Sequence, residues 1–530
     1  MPETVRDAVF DVFRRRGLAT VFSNPGSTEV PFLVDFPDDL RFVLGLHEGS
    51  VVGMATGYAI GRGAPALALL HTTAGLGNAV AALATARVNR APLVVLVGQQ
   101  DRRHLAFEPF LAGRLDGLGG EYPVSAEQPA RPQDLPAAVE RAYHRAVAAR
   151  GPALVIVPMD DWLAPAPEPW ESAAAGRVLL AETVDPEAVT GLVALLDGAR
   201  SPALVVGADA DEPAAWEALV ALAERLRCPV FQESFGARAG FPQDHPQFAR
   251  HLPADRTRLR ELLAPHDVVL AVGAPVFRQS VYQPGPFVEP GTRVAVVSRD
   301  PAEAHRSPVE LAIVAPPAAV AAELARRVAE RDGEPPRFER PGPPEPAERL
   351  TTAHVFSALA ERLPRDTVLV EECPSSRPEL EKRVPARAPL GYLSAAAGGL
   401  GFGIPGAIGV RMALPERPVV AVVGDGAAMY QIQALWSAAH YGVGAVFVVL
   451  ANGGYAIMDH LAAHRGGAGP WPGFDVDVAG IALALGCPAR RVASPDELPA
   501  VLGEALAGLA ERDEPLLLEV AVDPDPEFNP

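Results

Sequence analysis

Short, unbroken apolar runs alternating with helical patterns set the reading of this chain. In the first third they are Phe42-Val-Leu-Gly-Leu, Ala66-Leu-Ala-Leu-Leu, Leu93-Val-Val-Leu-Val and Leu154-Val-Ile-Val. Strands that are apolar on both faces and separated by helices belong to parallel sheets covered on both sides. The middle third repeats the pattern with Ala203-Leu-Val-Val-Gly, Val268-Val-Leu-Ala-Val-Gly and Val294-Ala-Val-Val, and its clearest helix begins at Ala214. The last third carries Val419-Val-Ala-Val-Val-Gly424-Asp425-Gly-Ala-Ala428 and then Val446-Phe-Val-Val-Leu-Ala-Asn452-Gly-Gly454. The first and last thirds echo each other as strand, glycine-containing loop, small-residue helix, strand. The pattern predicts an α/β chain of three doubly wound parallel-sheet domains at 1–165, 180–332 and 348–530. Between the last two, the Pro-rich segment 333–347 reads as an extended, solvated linker.

Composition narrows the partners. Of 530 residues 49% are hydrophobic and 21% charged, as in a globular protein, and the formal net charge is −19. That sign disfavours a nucleic-acid backbone or an anionic membrane. No basic-then-apolar signal pattern opens the sequence, and the apolar runs are broken before membrane-spanning length. Cys228, Cys373 and Cys487 are scattered and form no CxxC pair. This fits a reducing cytoplasm and no thiolate metal site.

The candidate chemistry gathers at strand ends. Asp425 and Asn452 lie one helix and one strand apart, at the carboxyl ends of neighbouring parallel strands. A carboxylate and an amide oxygen suit Mg²⁺, which is held by few protein oxygens together with phosphates. Beside a helix N-terminus they form a diphosphate site, to which Gly454 can add a main-chain carbonyl. Ser27, in Asn24-Pro-Gly26-Ser27, offers a hydroxyl beside a glycine; the same residues also read as a capped turn. Glu48 opens an apolar helix, as a buried functional carboxylate or as an ordinary helix N-terminal acid. His71 ends a buried strand before Thr72-Thr-Ala-Gly75-Leu-Gly77, as a ligand group or as a satisfied structural histidine. Gly399-Leu-Gly401-Phe-Gly403-Ile-Pro-Gly406 looks loosely like a dinucleotide loop, but it has no strand predicted before it and Pro405 stands inside it.

Taken together, Asn24-Pro-Gly-Ser, Pro31-Phe-Leu, His71-x-x-Ala-Gly-x-Gly-Asn78, Gly98-Gln-Gln, Gly273-Ala-Pro-Val-Phe-Arg278 and Ala396-Ala-Gly-Gly-Leu-Gly-Phe402 resemble the thiamine-diphosphate-dependent 2-oxo-acid decarboxylases, in the benzoylformate decarboxylase branch. The resemblance spans essentially the whole chain. It implies thiamine diphosphate and Mg²⁺ as cofactors, with Asp425, Asn452 and the Gly454 carbonyl on the metal. It places Pro374, Ser375, Gly426, Ala427, Tyr430, Tyr455 and Ala456 around the cofactor, Leu400 under its bend and Gly398 against its pyrimidine. Glu48 would bond the aminopyrimidine ring nitrogen, Ser27 would contact the substrate carboxylate and His71 would relay protons. Phe110, Leu111, Ile457 and Leu461 would shape the pocket for a small 2-oxo acid. Glu48 and Asp425 would come from different subunits of a homodimer or homotetramer.

Departures from the family pattern carry their own expectations. Ser280 stands where the branch has a second active-site histidine, and a hydroxyl is a poor acid at neutral pH, so His104 or His460 becomes an alternative proton donor. Cys373-Pro374 and Ala427 remove hydroxyl groups, and Pro374 has no N–H, from the diphosphate cradle. Branched Ile457 narrows the pocket, pointing to an aliphatic acyl group. The leading reading is decarboxylation to an aldehyde and CO₂. Its alternatives are a carboligase of acetolactate-synthase type and a cofactor-binding relative without turnover.

Overall fold

A computed structural model of the chain describes residues 3–168 and 174–525. The apolar runs form three six-stranded parallel sheets. The first orders its strands Arg41–Leu44, Thr20–Asn24, Ala66–Leu70, Leu93–Gln99, Pro152–Pro158 and Ser125–Glu127. The third orders them Tyr392–Ser394, Val368–Glu372, Val419–Gly424, Val446–Ala451, Leu516–Ala521 and Ala489–Val492. Both sheets place their second strand outside the first, then the third, fourth, sixth and fifth. The echo between first and last thirds is therefore one topology used twice. The middle sheet differs, running Phe248–His251, Val230–Gln232, Pro202–Val206, Val268–Val272, Arg293–Ser298 and Leu311–Val314. A second Pro-rich stretch, Ala164-Pro-Ala-Pro-Glu-Pro after the first domain, lies partly outside the described residues.

In such sheets ligands sit beyond the carboxyl ends of the strands, where the strand order reverses. The first sheet reverses between Thr20–Asn24 and Ala66–Leu70. The third reverses between Val368–Glu372 and Val419–Gly424. The residues singled out at strand ends, Ser27, His71 and Asp425, follow these strands directly.

The first and third sheets share one core. A single cluster of wholly buried side chains runs from Phe22, Val51 and Leu70 to Ile404, Val419 and Phe447. Its hinge is the pair of helices Glu48–Arg62 and Gly403–Ala413. Glycines let their backbones touch. A Cβ on Gly57 would stand 2.1 Å from the Gly406 carbonyl oxygen, and one on Gly409 would stand 1.9 Å from that of Met54. The middle domain keeps its own cores around Leu219 and Val296.

Two expectations need correction. A short strand, Tyr392–Ser394, does precede the glycine-rich stretch at 399–406, and Pro405 is no interruption. It occupies the first turn of helix Gly403–Ala413, where its missing N–H costs no helical bond. The segment 333–347 is extended, with no helix or strand, but it is not simply solvated. The Phe338 N–H donates to Pro246 O at 2.9 Å, and Arg340 donates to the carbonyls of Lys382 and Gln243, both at 2.8 Å.

Because the Gly409 contact is backbone against backbone, Gly409→Val has no rotamer escape. We expect it to lower unfolding stability by about 3 kcal/mol or more, beyond the usual range for overpacking, as read from urea titration.

Candidate active site

Asn24 closes its strand, and Pro25-Gly26 turns the chain into the short 3₁₀ helix Ser27–Glu29. Ser27 is exposed and has no hydrogen-bond partner among the described residues. Gly26 is required where it stands, since a Cβ there would come within 2.5 Å of the His71 ring. His71 is held by a residue the sequence reading passed over. Its Nδ1 lies 2.9 Å from Glu29 Oε2 and 3.0 Å from Thr28 Oγ1. Glu29 is fully buried and also accepts the Gly26 N–H at 2.7 Å. A buried carboxylate needs such donors to offset its lost hydration. Nδ1–H donation to Glu29 leaves His71 Nε2 as the free ring nitrogen. Gly98 clears the space for this carboxylate, because its Cβ would overlap Glu29 Oε1 at 1.7 Å.

Glu48 opens its helix and is buried. Its carboxylate accepts from Asn78 Nδ2 at 3.0 Å and, more weakly, from Asn24 Nδ2 at 3.4 Å. Asn78 lies in the matched motif, but its aim at Glu48 could not be read from spacing. Phe110 and Leu111 lie on a loop tied down by Gln100 Nε2 donating to Phe110 O at 2.7 Å. Phe110 is exposed.

In the third domain Asp425 is the first residue of helix Asp425–Ala428 and is buried. Its two oxygens accept the N–H groups of Gly426 at 2.7 Å and Gly453 at 2.8 Å. Burial nevertheless pushes the Asp425 carboxyl above the usual carboxylate range, against the lowering effect of those backbone donors. Such a site favours a cation that would restore the charged form. Asn452 Oδ1 accepts the Gly454 N–H at 3.1 Å, and an added Cβ at Gly454 or Gly424 would meet open space. Among the described residues no group of three His, Cys, Asp or Glu side chains converges as a metal site. A cation here would rest on one carboxylate with amide and main-chain oxygens, the donor set of Mg²⁺. Ser375 Oγ accepts the Ile457 N–H at 3.1 Å, joining the cradle loop to helix Ala456–His464. Gly426 is packed close to the Tyr455 and Phe474 rings, Ala427 and Ala456 are buried, and Tyr430 is exposed.

A cavity of about 1650 Å³ connects several of the expected residues. Ser280, Pro374, Gly398, Leu400, Ile457 and Leu461 line it. Ser27, Glu48 and His71 do not, so one chain divides the expected site into two groups. His104 is exposed on the loop after Leu93–Gln99, and His460 is engaged by the Asp525 carbonyl at 3.0 Å. Three histidines line the cavity with Ser280, none marked by a motif: His245, which faces Glu224, His266, whose pKa burial lowers, and His251. Burial pushes the His251 pKa down to about 3, so its ring is neutral and carries no proton to donate as imidazolium.

Two other crevices are self-filled. Glu372 accepts the N–H groups of Gly401, Phe402 and Gly403 at 2.5, 3.2 and 2.7 Å, so the helix N-terminus after the glycine-rich stretch already holds an anion. At the reversal of the middle sheet, Glu233 accepts the Ala208 N–H at 2.7 Å, and Asp209 is paired with Arg90 and Arg150. Dinucleotide phosphates would find neither position open.

The fold of three parallel-sheet domains is that of the thiamine pyrophosphate enzymes. Family models for the N-terminal thiamine pyrophosphate binding domain, the central domain and the C-terminal thiamine pyrophosphate binding domain match residues 3–118, 189–324 and 379–520. Benzoylformate decarboxylase of Pseudomonas aeruginosa is 41% identical, with 98% of each chain covered. An acetolactate synthase of Arthrospira platensis is 27% identical over 84% of this chain and 81% of its own. Among solved structures, the thiamine diphosphate-dependent 4-hydroxybenzoylformate decarboxylase of Rhodococcus jostii superposes with a TM-score of 0.94 at 36% identity, covering 99% of this chain and all of its own. Benzoylformate decarboxylase of Polynucleobacter necessarius does so with 0.93 at 32%, covering 99% of each. The chain belongs to the thiamine pyrophosphate enzyme family.

Glu29 touches His71 and the Gly26 turn but nothing in the Asp425 loop. Glu29→Ala is expected to lower kcat about tenfold, less than the roughly 100- to 10,000-fold of a general acid–base group itself because Glu29 acts through His71, while cofactor titration gives an unchanged binding constant.

Proposed function

We propose that the chain decarboxylates a 2-oxo acid with thiamine diphosphate, converting R–CO–CO₂⁻ and one proton into R–CHO and CO₂. The observation that carries this reading is the conjunction of a buried, amide-oriented Glu48 in one domain with the Asp425–Asn452 loop in its topological twin. The 41% identity to a benzoylformate decarboxylase over nearly the whole chain supports it.

Bound thiamine diphosphate supplies the electron sink that decarboxylation needs. The protein's part is binding, orientation and proton management. Asp425, Asn452 and the Gly454 carbonyl would hold Mg²⁺, with Ser375, Gly426 and Ala427 closing the cradle for the diphosphate. Pro374 contributes shape but no N–H there. Leu400 and Gly398 line the cavity and would meet the cofactor there. Glu48, its carboxylate oriented by Asn78, holds a proton at the ring nitrogen of the aminopyrimidine. Ser27 receives the substrate carboxylate, and His71, with Nδ1 committed to Glu29, exchanges a proton through Nε2. Phe110, Leu111, Ile457 and Leu461 shape the space around R.

Glu48, Ser27 and His71 lie outside the cavity that holds Leu400 and Ile457, which supports a site completed by a second copy of the chain. A homodimer is the smallest such assembly and a homotetramer holds two of them. A cytoplasmic location suits three buried, unpaired thiols. No described helix is long and apolar enough to cross a membrane.

One observation favours a second reading. Ser280 is an exposed hydroxyl, and His251 in the same cavity is neutral, so neither supplies an imidazolium proton there. Capture of a second carbonyl compound in place of that proton would make a hydroxyketone. Product identification across 2-oxo acids, from benzoylformate to aliphatic members, separates aldehyde from hydroxyketone.

Glu48→Gln should retain cofactor and metal in calorimetry yet exchange the cofactor's C2 proton at least about 100-fold more slowly, as expected for loss of a catalytic acid–base group; exchange at the wild-type rate would refute the role. Asp425→Ala should abolish Mg²⁺-dependent retention of the cofactor through gel filtration, with the far-ultraviolet circular dichroism unchanged.

A further inference from the structure

The cavity beside Leu400 is larger than a small 2-oxo acid requires. At about 1650 Å³ it exceeds the roughly 300–1000 Å³ of ordinary ligand pockets. It extends from Pro374, Leu400 and Ile457 to a wall where the middle domain, the 333–347 segment and helix Arg377–Arg383 meet.

That wall is basic in a chain of net charge −19. Arg250, Arg337, Arg340 and Arg387 all line the cavity. Among the described residues none of the four makes an ion pair. Arg250 and Arg337 are exposed, whereas Arg340 and Arg387 are half-buried and bond only to main-chain carbonyls. Burial and the neighbouring Arg387 lower the Arg340 pKa to about 10, still charged at neutral pH. Five carboxyls, Asp244, Glu334, Glu339, Glu372 and Glu381, also line the cavity but are outnumbered by its eight arginines and lysines. Asp244 is paired with Arg365, Glu372 is spent on the Gly401–Gly403 N–H groups, and burial raises Glu381 to about 8. An unpaired half-buried guanidinium is costly to keep unless an anion visits it.

The wall is close enough to act on the reaction centre. Arg340 Nη1 bonds the Lys382 carbonyl at the end of a seven-residue helix whose beginning follows Pro374-Ser375. Such a helix is roughly 10 Å long. The Debye length is about 10 Å at 0.1 M salt and about 30 Å at 0.01 M. Unpaired cations at that range therefore bias an anion toward the cofactor end, and clefts of one charge sign raise local substrate concentration and on-rate by about 10- to 1000-fold.

We propose that the Arg250–Arg337–Arg340–Arg387 wall is the electrostatic entry passage for the anionic 2-oxo acid, offsetting the repulsion of an acidic protein. The proposal rests on the reading of the chain as a 2-oxo-acid decarboxylase. The passage selects for the carboxylate charge and leaves the neutral aldehyde product indifferent to it.

The test is the double substitution Arg250→Glu and Arg337→Glu, both at exposed positions outside the cofactor cradle, in the holoenzyme. At about 10 mM ionic strength kcat/KM for the 2-oxo acid should fall about tenfold, and the gap should close to within about twofold at 0.5 M salt, as screening predicts. The kcat and the inhibition constant of the aldehyde should not move. Calorimetric binding of methyl acetylphosphonate, an anionic analogue that cannot lose CO₂, should weaken by the same factor at low salt only. Equal phosphonate affinity in both proteins at low salt would overturn the passage, as would a loss that persists at high salt or appears equally for the aldehyde. Absence of turnover by the wild type with every 2-oxo acid would instead sink the decarboxylase reading, and the phosphonate measurement would still decide the passage.

Discussion

The backbone contact between helices Glu48–Arg62 and Gly403–Ala413 is the constraint on which the arrangement depends. Side chains larger than hydrogen at Gly57 and Gly409 would force the helices apart. With glycine there, a single apolar core runs from the first sheet through both helices into the third. Glu48 is the first residue of one of these helices, so the same packing that fuses the domains fixes where its carboxylate starts. The fixing continues in polar contacts, since Ser50 Oγ donates to Gln431 Oε1 at 2.6 Å, a few residues after Asp425. Two crevices built on one topology thus belong to one rigid unit, and neither can be re-aimed without breaking the core.

A second rule operates inside each domain. Each places a buried carboxylate against backbone N–H groups in a niche that a glycine keeps open. Glu29 has Gly98, Glu233 has Gly207 and Glu372 has Gly403, where a Cβ would come within 1.7, 2.3 and 2.9 Å of the acid's side chain. These internal anions occupy donor groups that phosphate would otherwise use. In the first domain the carboxylate also orients a histidine. In the middle domain it closes the dinucleotide position, and in the third it fills the N-terminus of helix Gly403–Ala413. At the Asp425 loop, by contrast, a Cβ on Gly424 or Gly454 would meet open space.

The strands, their parallel pairing and the doubling of the first domain in the third were legible because apolar continuity is a local property of sequence. Asp425 and Asn452 were legible for a related reason. Each follows its strand within a residue or two, so strand position fixes strand-end chemistry. What stayed hidden depended on contacts across loops. Glu29 looked like one more polar residue after Ser27, and only the fold brings it to His71. Asn78 sat inside a recognised motif without revealing that its amide faces Glu48. His251 lies at an edge strand with no motif around it, and only the meeting of two domains puts it in the cavity with Ser280. The Gly399–Gly406 stretch was set aside as a dinucleotide loop for the wrong reasons, because what closes it, Glu372 on its N–H groups, arrives from a strand well upstream.

The Pro-rich segment shows how composition can name a conformation and miss a role. Fixed φ angles make 333–347 extended at little entropic cost, as a linker should be. An extended chain also presents alternate side chains to alternate sides, and this one is anchored at Phe338 to the middle domain and at Arg340 to both neighbours. It is therefore a wall of the cavity as well as a tether. Its anchoring at Arg340 uses the carbonyls that end helix Arg377–Arg383, the favoured place for a cation on a helix. That choice leaves Arg340, which lines the cavity, without an acid partner among the described residues. Covalent connection between domains and the charge of the passage between them thus follow from the same few residues, which is why neither composition nor spacing could separate them.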